Sequence, residues 1–301
     1  MPRATVLQMT PLPEIAEQML AARFEVVKAA AWRDSGGETS HLIAGIATTA
    51  RGAVDRALLD SLPALRIIAC YSAGTEGIDR GEAERRGIRV TTTSSLIAGE
   101  VADLGMGLAI ALARRMPEGQ AHILNGGWDA GPMPLGRSLS ALRMGIVGMG
   151  NIGKAMARRA VAFDMAVRWH GSKAKPDIAP PYEPDLLALA RDSDVLVLCC
   201  PETPETREMI DAPVLHALGP DGWLINIARG RIVDEVALVA AIETGTIAGA
   251  GLDAFADEPR VPRSLATHPR VICVPHIGAA TVEIRKAMAE HMVARLIEAI
   301  V

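Results

Sequence analysis

Ten residues in the middle of the chain, MGIVGMGNIG from Met144 to Gly153, limit what it can fold into more than any other stretch. An apolar run through Ile146 and Val147 reads as a buried strand, and it empties into glycines at 148, 150 and 153. Each glycine has its own steric job in such a turn. Gly148 lets the chain leave the strand tightly, Gly150 lets the backbone approach a pyrophosphate, and Gly153 lets the next helix pack close to the sheet. The helix that opens at Asn151 then turns its free N–H groups and positive dipole end toward a bound anion. A glycine-rich turn alone is weak, so its flanks decide. KAMARRAVAF follows with Ala155, Met156, Ala160 and Phe163 at helical spacing, so strand, turn and helix are all present and the stretch reads as a dinucleotide site.

A chain of 301 residues exceeds one ordinary core, so two domains are expected. Half of the residues are apolar but only 3% are aromatic, so the interior must be built from Ala, Val, Ile, Leu and Met, as in helix-covered parallel sheets. The formal charge of −4 and pI near 6.0 offer no basic groove for nucleic acid and no polybasic membrane anchor. A small soluble metabolite is the expected partner. The start, MPRATVLQM, lacks the apolar run of a signal peptide, and the most apolar helix, read as Leu104 to Ala113, is too short to span a bilayer. A cytoplasmic protein is therefore expected. Cys70, Cys199, Cys200 and Cys273 end apolar runs without a CxxC pair or a neighbouring His cluster, which reads as buried reduced thiols and no metal site.

Along the first 97 residues, short apolar runs (TVLQM, FEVV, HLIAGIATTA, LRIIACYSAG) alternate with helical segments, predicting a small doubly wound domain. One strand empties into Ser72-Ala73-Gly74, a turn whose backbone N–H groups suit a carboxylate; a simple strand-to-helix connection is the alternative. A long helix from about Ala98 to Arg115 carries small residues at Gly105, Gly107, Ala109, Ala111 and Ala113, suited to close packing on a neighbour or to a dimer surface. Residues 144–275 alternate strand and helix strictly, which predicts a parallel sheet with right-handed crossovers, a Rossmann domain. The last helix, from Thr281, presents Ile284, Met288, Met292, Leu296 and Ile300 on one face and is expected to return to the N-terminal domain. The expected organisation is residues 1–97 with 281–301 as a substrate domain around a coenzyme domain of residues 98–280, with a cleft between the lobes.

Readers of NAD place an acid about 20 residues past the glycine turn, where it takes the ribose hydroxyls. Here that position is His170, followed by Ser172, Lys173 and Lys175, with no carboxylate. An acid there would repel the 2′-phosphate of NADP whereas a lysine and a hydroxyl attract it, so NADP is the expected cofactor. Three polar residues lie just past strand ends: Arg229 after LINIA, Glu258 after GLDAFAD and His276 after VICVP. In a doubly wound sheet such ends converge on the ligand crevice. Arg229 offers a fork for a carboxylate and a carbonyl oxygen, His276 a proton, and Glu258 a partner that holds the imidazolium. Singly these are a surface ion pair, a helix-start acid and a satisfied histidine; together with a nucleotide turn they make a keto-acid reductase.

The runs SAGTEGID, GIVGMGNIG, CCPETPETREMI, INIARGRIVDE, GLDAFADEP and PHIGAAT, at this order and spacing, resemble the D-isomer-specific 2-hydroxyacid dehydrogenase family across almost the whole chain. The resemblance implies an α/β fold in which a Rossmann coenzyme domain, a doubly wound parallel sheet, is inserted in a smaller flavodoxin-like α/β substrate domain. It also implies a homodimer. Arg229, Glu258 and His276 fall on the family's substrate-binding arginine, orienting glutamate and acid/base histidine, and Ser72, Ala73 and Gly74 on its carboxylate loop. The cofactor positions it implies are Gly148, Gly150, Asn151, Ile152, Gly153, His170, Ser172, Lys173, Cys200, Pro201, Thr206, Ile227, Ala228, Asp253 and Gly278. Within the family the chain is most similar to bacterial glyoxylate and hydroxypyruvate reductases. It departs from them in lacking an arginine in the loop after His170 and in carrying Glu202 where an apolar residue is usual, so NADP(H) is expected first and NAD(H) beside it. Two other readings stand: an NAD-linked dehydrogenase acting on a phosphorylated glycerate, and a nucleotide-sensing binding protein of the same fold.

Overall fold

The computed structural model describes residues 3–301. They divide into two compact units, one of residues up to Ile97 together with Ala280–Val301, the other Ala98–Ala279. The second crossing thus lies one residue before the boundary placed from the sequence.

The first unit is built on five parallel strands: β1 (Thr5–Gln8), β2 (Glu25–Lys28), β3 (Ile43–Thr48), β4 (Ile67–Cys70) and β5 (Arg89–Thr91). Their order, β2-β1-β3-β4-β5, is that of flavodoxin-like sheets. β1 and β4 are buried along their whole length, as strands covered on both faces must be. The edge strand β2 instead exposes Glu25 and Lys28, charges that discourage further pairing. β5 is not foreseen from the sequence, because a three-residue strand running into TTTSS has no periodicity to read. The C-terminal helix Val282–Ile300 buries Ile284, Met288, Met292 and Leu296. Gly45 in β3 makes room for it, since a Cβ there would stand 2.8 Å from Leu296 Cδ2.

The second unit holds six parallel strands: β6 (Arg143–Val147), β7 (Ala166–His170), β8 (Val195–Leu198), β9 (Trp223–Asn226), β10 (Gly249–Leu252) and β11 (Val271–Cys273). They run in the order β11-β10-β9-β8-β6-β7. After β6 the chain adds β7 on one side and β8 on the other, so the order reverses where the glycine turn stands. Ligands of open α/β sheets lie at such a switch point, beyond the carboxyl ends of the strands. In the helix Asn151–Ala162, Ala155, Met156 and Ala160 are buried as their spacing predicts. Phe163 is not, at 43% exposed, because the helix ends at Ala162 and the chain turns through Asp164 at φ 59°.

The long apolar helix is Ser94–Ala113, opening four residues before the predicted start. At 20 residues it is long enough to cross a membrane, which corrects the length argument made from the sequence. More than half of it is instead packed inside protein, including Val101, Met106 and Leu112. Gly105 is used for close packing, since a Cβ would lie 2.9 Å from Ile227 Cδ1 and 3.1 Å from Met156 Sδ. Gly107 has nothing within 4 Å. The helices Met116–Leu124 and Gly127–Ala130, which follow it, are not foreseen from the sequence. All four cysteines are free thiols, Cys70 and Cys199 buried and the other two half-buried.

Candidate active site

Gly148, Gly150 and Gly153 occupy three different environments. Gly148 sits at φ 97°, and a Cβ there would stand 2.6 Å from the Cys200 backbone nitrogen, so the turn and the end of β8 are in backbone contact. A Cβ on Gly153 would overlap the Gly148 carbonyl oxygen, which is how closely the helix is drawn onto the turn. Gly150 is different: a Cβ would meet nothing within 4 Å. The turn is therefore tight where it touches protein and open on the side where Asn151, Ile152 and Gly153 begin the helix, a cradle that fits a pyrophosphate.

The loop after β7 is fastened to this turn. Gly148 N donates to His170 O at 2.8 Å, and His170 Nδ1 lies 3.0 Å from Glu183 O. Lys175 Nζ donates to Met149 O at 2.7 Å, placing an ammonium group directly on the phosphate turn. Ser172 and Lys173 stand exposed and bond to no protein group among the described residues. Beyond β8, the Thr206 hydroxyl donates to Pro201 O at 2.8 Å and accepts from Thr203 N at 2.8 Å, and Glu202 pairs with Arg207 at 2.9 Å. The Cys200 thiol is pushed up to about 12 by burial.

β9, β10 and β11 are neighbours in parallel register, Asn226 opposite Leu252 and Leu252 opposite Cys273. Arg229, Glu258 and His276 follow three, six and three residues beyond those positions. The loops that carry them are knitted together. Gly230, next to Arg229, lies so close to the Phe255 carbonyl that a Cβ would overlap it. Glu258 Oε1 accepts from Phe255 N at 3.2 Å and from His276 Nδ1 at 2.8 Å. Arg229 Nη1 donates to Ala228 O at 2.8 Å. Ile227 and Ala228 are buried beside it.

His276 has φ 53°, a left-handed backbone that an ordinary side chain rarely adopts. Asp253, 3% exposed, secures it: its carboxylate accepts from Ile277 N at 2.6 Å and from Gly278 N at 2.9 Å. Burial raises the Asp253 pKa, and these two N–H groups oppose that rise. Asp253 and Gly278, singled out from the sequence as cofactor positions, thus have a structural connection to the histidine itself. With Nδ1–H donated to Glu258, Nε2 is the ring nitrogen not engaged by that carboxylate.

In the first unit, the Ser72 hydroxyl accepts from Ala50 N at 2.9 Å and donates to Gly74 O at 3.0 Å, with Cys70 Sγ also 3.0 Å away. The hydroxyl is engaged in shaping its own loop. Among the described residues, the N–H groups of Ser72, Ala73 and Gly74 donate to no protein acceptor, which leaves three successive backbone donors for an anion. In the second unit, Asn226 at the end of β9 escapes sequence reading, and Lys175, read as a charge for the 2′-phosphate, also bonds the glycine turn. A polar residue closing the apolar run WLIN was the available signal for Asn226.

The sequence profile described as "D-isomer specific 2-hydroxyacid dehydrogenase, NAD binding domain" matches residues 106–278. The chain is 40% identical over 294 residues to the hydroxyphenylpyruvate reductase of Plectranthus scutellarioides, covering 97% of this chain and 94% of the relative. It is 39% identical over 298 residues to a glyoxylate/hydroxypyruvate reductase of Arabidopsis thaliana, with the same coverage of both. The structure superposes with TM-score 0.88 and 36% identity on the NADPH-dependent glyoxylate/hydroxypyruvate reductase of Sinorhizobium meliloti in complex with NADP and malonate, over 98% of this chain and 92% of that one.

Proposed function

This chain belongs to the D-isomer-specific 2-hydroxyacid dehydrogenase family, and from that premise we propose that it reduces small 2-keto acids, glyoxylate and hydroxypyruvate, to D-2-hydroxy acids with NADPH as the reductant. The observation that carries this reading is the 2.8 Å bond between His276 Nδ1 and Glu258 Oε1 beside the Arg229 loop. A carboxylate on one ring nitrogen stabilises the imidazolium and orients it, so that Nε2 gives its proton to the carbonyl oxygen as charge develops there. Arg229 holds the substrate carboxylate and the same carbonyl oxygen through its planar fork, which a lysine would not reproduce. In the first unit, the N–H groups of Ser72, Ala73 and Gly74 are donors of the kind that suits a carboxylate. The bound nicotinamide supplies the hydride. After transfer, His276 is neutral and its Nδ1–H remains on Glu258, ready to regain a proton from solvent.

Preference for NADPH is supported by the missing acid at position 170 and by Lys175 on the glycine turn. A homodimer is supported by the segment from Met116 to Leu135, where Leu124, Trp128 and Leu135 are 73%, 70% and 94% exposed. A cytoplasmic setting suits four free thiols. The test is oxidation of NADPH and of NADH by the purified protein with glyoxylate, hydroxypyruvate and phosphohydroxypyruvate. Turnover of the first two with NADPH in preference is expected. Strict use of NADH with phosphohydroxypyruvate would replace this reading by the phosphorylated-glycerate one, and nucleotide binding without any turnover would leave a sensor.

A further inference from the structure

We propose that Asn226 is a positioning residue for Arg229, acting through the backbone of the turn that carries the guanidinium; the proposal rests on the reductase reading above. Asn226 is the last residue of β9 and is 1% exposed. Its side-chain amide is used on both sides. Nδ2 donates to the Arg229 carbonyl at 2.9 Å, and Oδ1 accepts from Ala228 N at 3.0 Å. A carbonyl faces one end of the amide and an N–H the other, so its orientation is fixed by chemistry. These two bonds close the turn Asn226-Ile227-Ala228-Arg229 from inside and set the direction in which Arg229 leaves the sheet.

The same residue also reaches the histidine's support. Asp253 N donates to the Asn226 carbonyl at 2.9 Å, and the Asp253 carboxylate holds the Ile277 and Gly278 N–H groups next to His276. The side-chain amide of Asn226 thus acts on the Arg229 turn, while its main-chain carbonyl joins the strand that carries Asp253, the anchor of the residues after His276. An apolar residue of the same size would fill the space equally well, yet it would leave the Ala228 N–H without a buried partner and the Arg229 carbonyl with only the 3.3 Å bond from Ile232 N. That is the sense in which an amide is required here and packing alone is not.

Two variants test this on the full chain. Asn226→Ala removes both bonds. It is expected to raise KM for glyoxylate by roughly 10- to 100-fold, the scale on which a small misplacement of a binding group acts, with the NADPH dissociation constant held within about twofold. In an Arg229→Lys background the same change is expected to cost no more than about threefold, because contacts that act as one unit are not additive. Asn226→Asp keeps the acceptor for Ala228 N but sets a carboxylate against the Arg229 carbonyl. When the introduced carboxyl is protonated it donates to that carbonyl, so activity relative to wild type is expected to rise as pH falls. If Asn226→Ala does not fold, this pH profile carries the test alone. An equal loss of NADPH affinity, an undiminished effect in the Arg229→Lys background, or a pH-independent Asn226→Asp ratio would each overturn the proposal. Wild-type protein that reduces none of the keto acids defeats the reductase reading instead, and the proposal falls with it before any variant is compared.

Discussion

At φ 53° the backbone of His276 occupies a region that costs a residue with a Cβ about 1–2 kcal/mol, and two short bonds to Asp253 hold it there. Strain that is paired with a specific anchor points to a side chain whose direction matters, which agrees with the Nδ1–Glu258 bond. His276→Ala is accordingly expected to cut kcat by about 100-fold or more while NADPH affinity, measured by quenching of the protein's fluorescence, stays the same. Unchanged turnover would remove the histidine from the proton-transfer role. Lys175 gives a second prediction at this scale. Its ammonium bonds to Met149 O while Lys173 is solvated, so Lys175→Met should weaken NADPH by roughly 10- to 100-fold, the worth of one charge-assisted bond, and NADH by much less. Equal losses would mean that Lys175 only braces the turn. Arg229, Glu258 and His276 were legible in the sequence because each follows an apolar run at a strand's carboxyl end. Lys175 was read as a phosphate-attracting lysine, but not its bond to Met149 O, and Asn226 was not read at all, since hydrogen bonding to main-chain groups depends on turns that no spacing of side chains describes.

Between residue and fold, the unit that matters is the strand with the turn it empties into. The glycine turn after β6 and the Arg229-Gly230 turn after β9 are both places where one main chain presses on another, and neither tolerates a Cβ at the point of contact. Gly230→Ala is expected to destabilise the protein by roughly 1–3 kcal/mol, read as a lower Tm, together with a loss of activity, because the Phe255 backbone must retreat and carry Glu258 with it. Gly150→Ala makes the opposite prediction. Its Cβ would meet no protein atom within 4 Å, so unfolding stability should hold within about 0.5 kcal/mol of wild type, whereas NADPH binding should fail because the methyl group fills the pyrophosphate's place. A Gly150→Ala protein that binds NADPH normally would put the phosphates elsewhere. The strands and long helices could be read from periodicity, because burial on both faces leaves continuous Val, Ile and Leu runs. β5 and the two helices between Met116 and Ala130 could not, since a short edge strand and an exposed helical arm answer to little of the core that makes a pattern visible.

For the molecule as a whole, the order of segments along the chain determines what can be separated. The second unit is one continuous stretch, Ala98–Ala279, whereas the first is assembled from both ends of the chain. All six strands of the second sheet, the glycine turn, Lys175, Arg229, Glu258 and His276 lie within that stretch, and Ser72, Ala73 and Gly74 lie outside it. A stretch of 182 residues with its own buried core, around Leu196, Leu198, Leu224 and Ile242, is large enough to fold alone. Expressed by itself, it is expected to unfold cooperatively and to bind NADPH within about tenfold of the full chain, a difference of about 1.4 kcal/mol. Its turnover of glyoxylate is expected to be lost or very weak on the proposal that Ser72, Ala73 and Gly74, which it lacks, take part in substrate binding. Calorimetry with NADPH and a glyoxylate assay on the same preparation separate the two contributions. A fragment that reduced glyoxylate as well as the intact protein would take Ser72, Ala73 and Gly74 out of the site, and one that folded but bound no nucleotide would show that the glycine turn needs the rest of the chain to hold its shape.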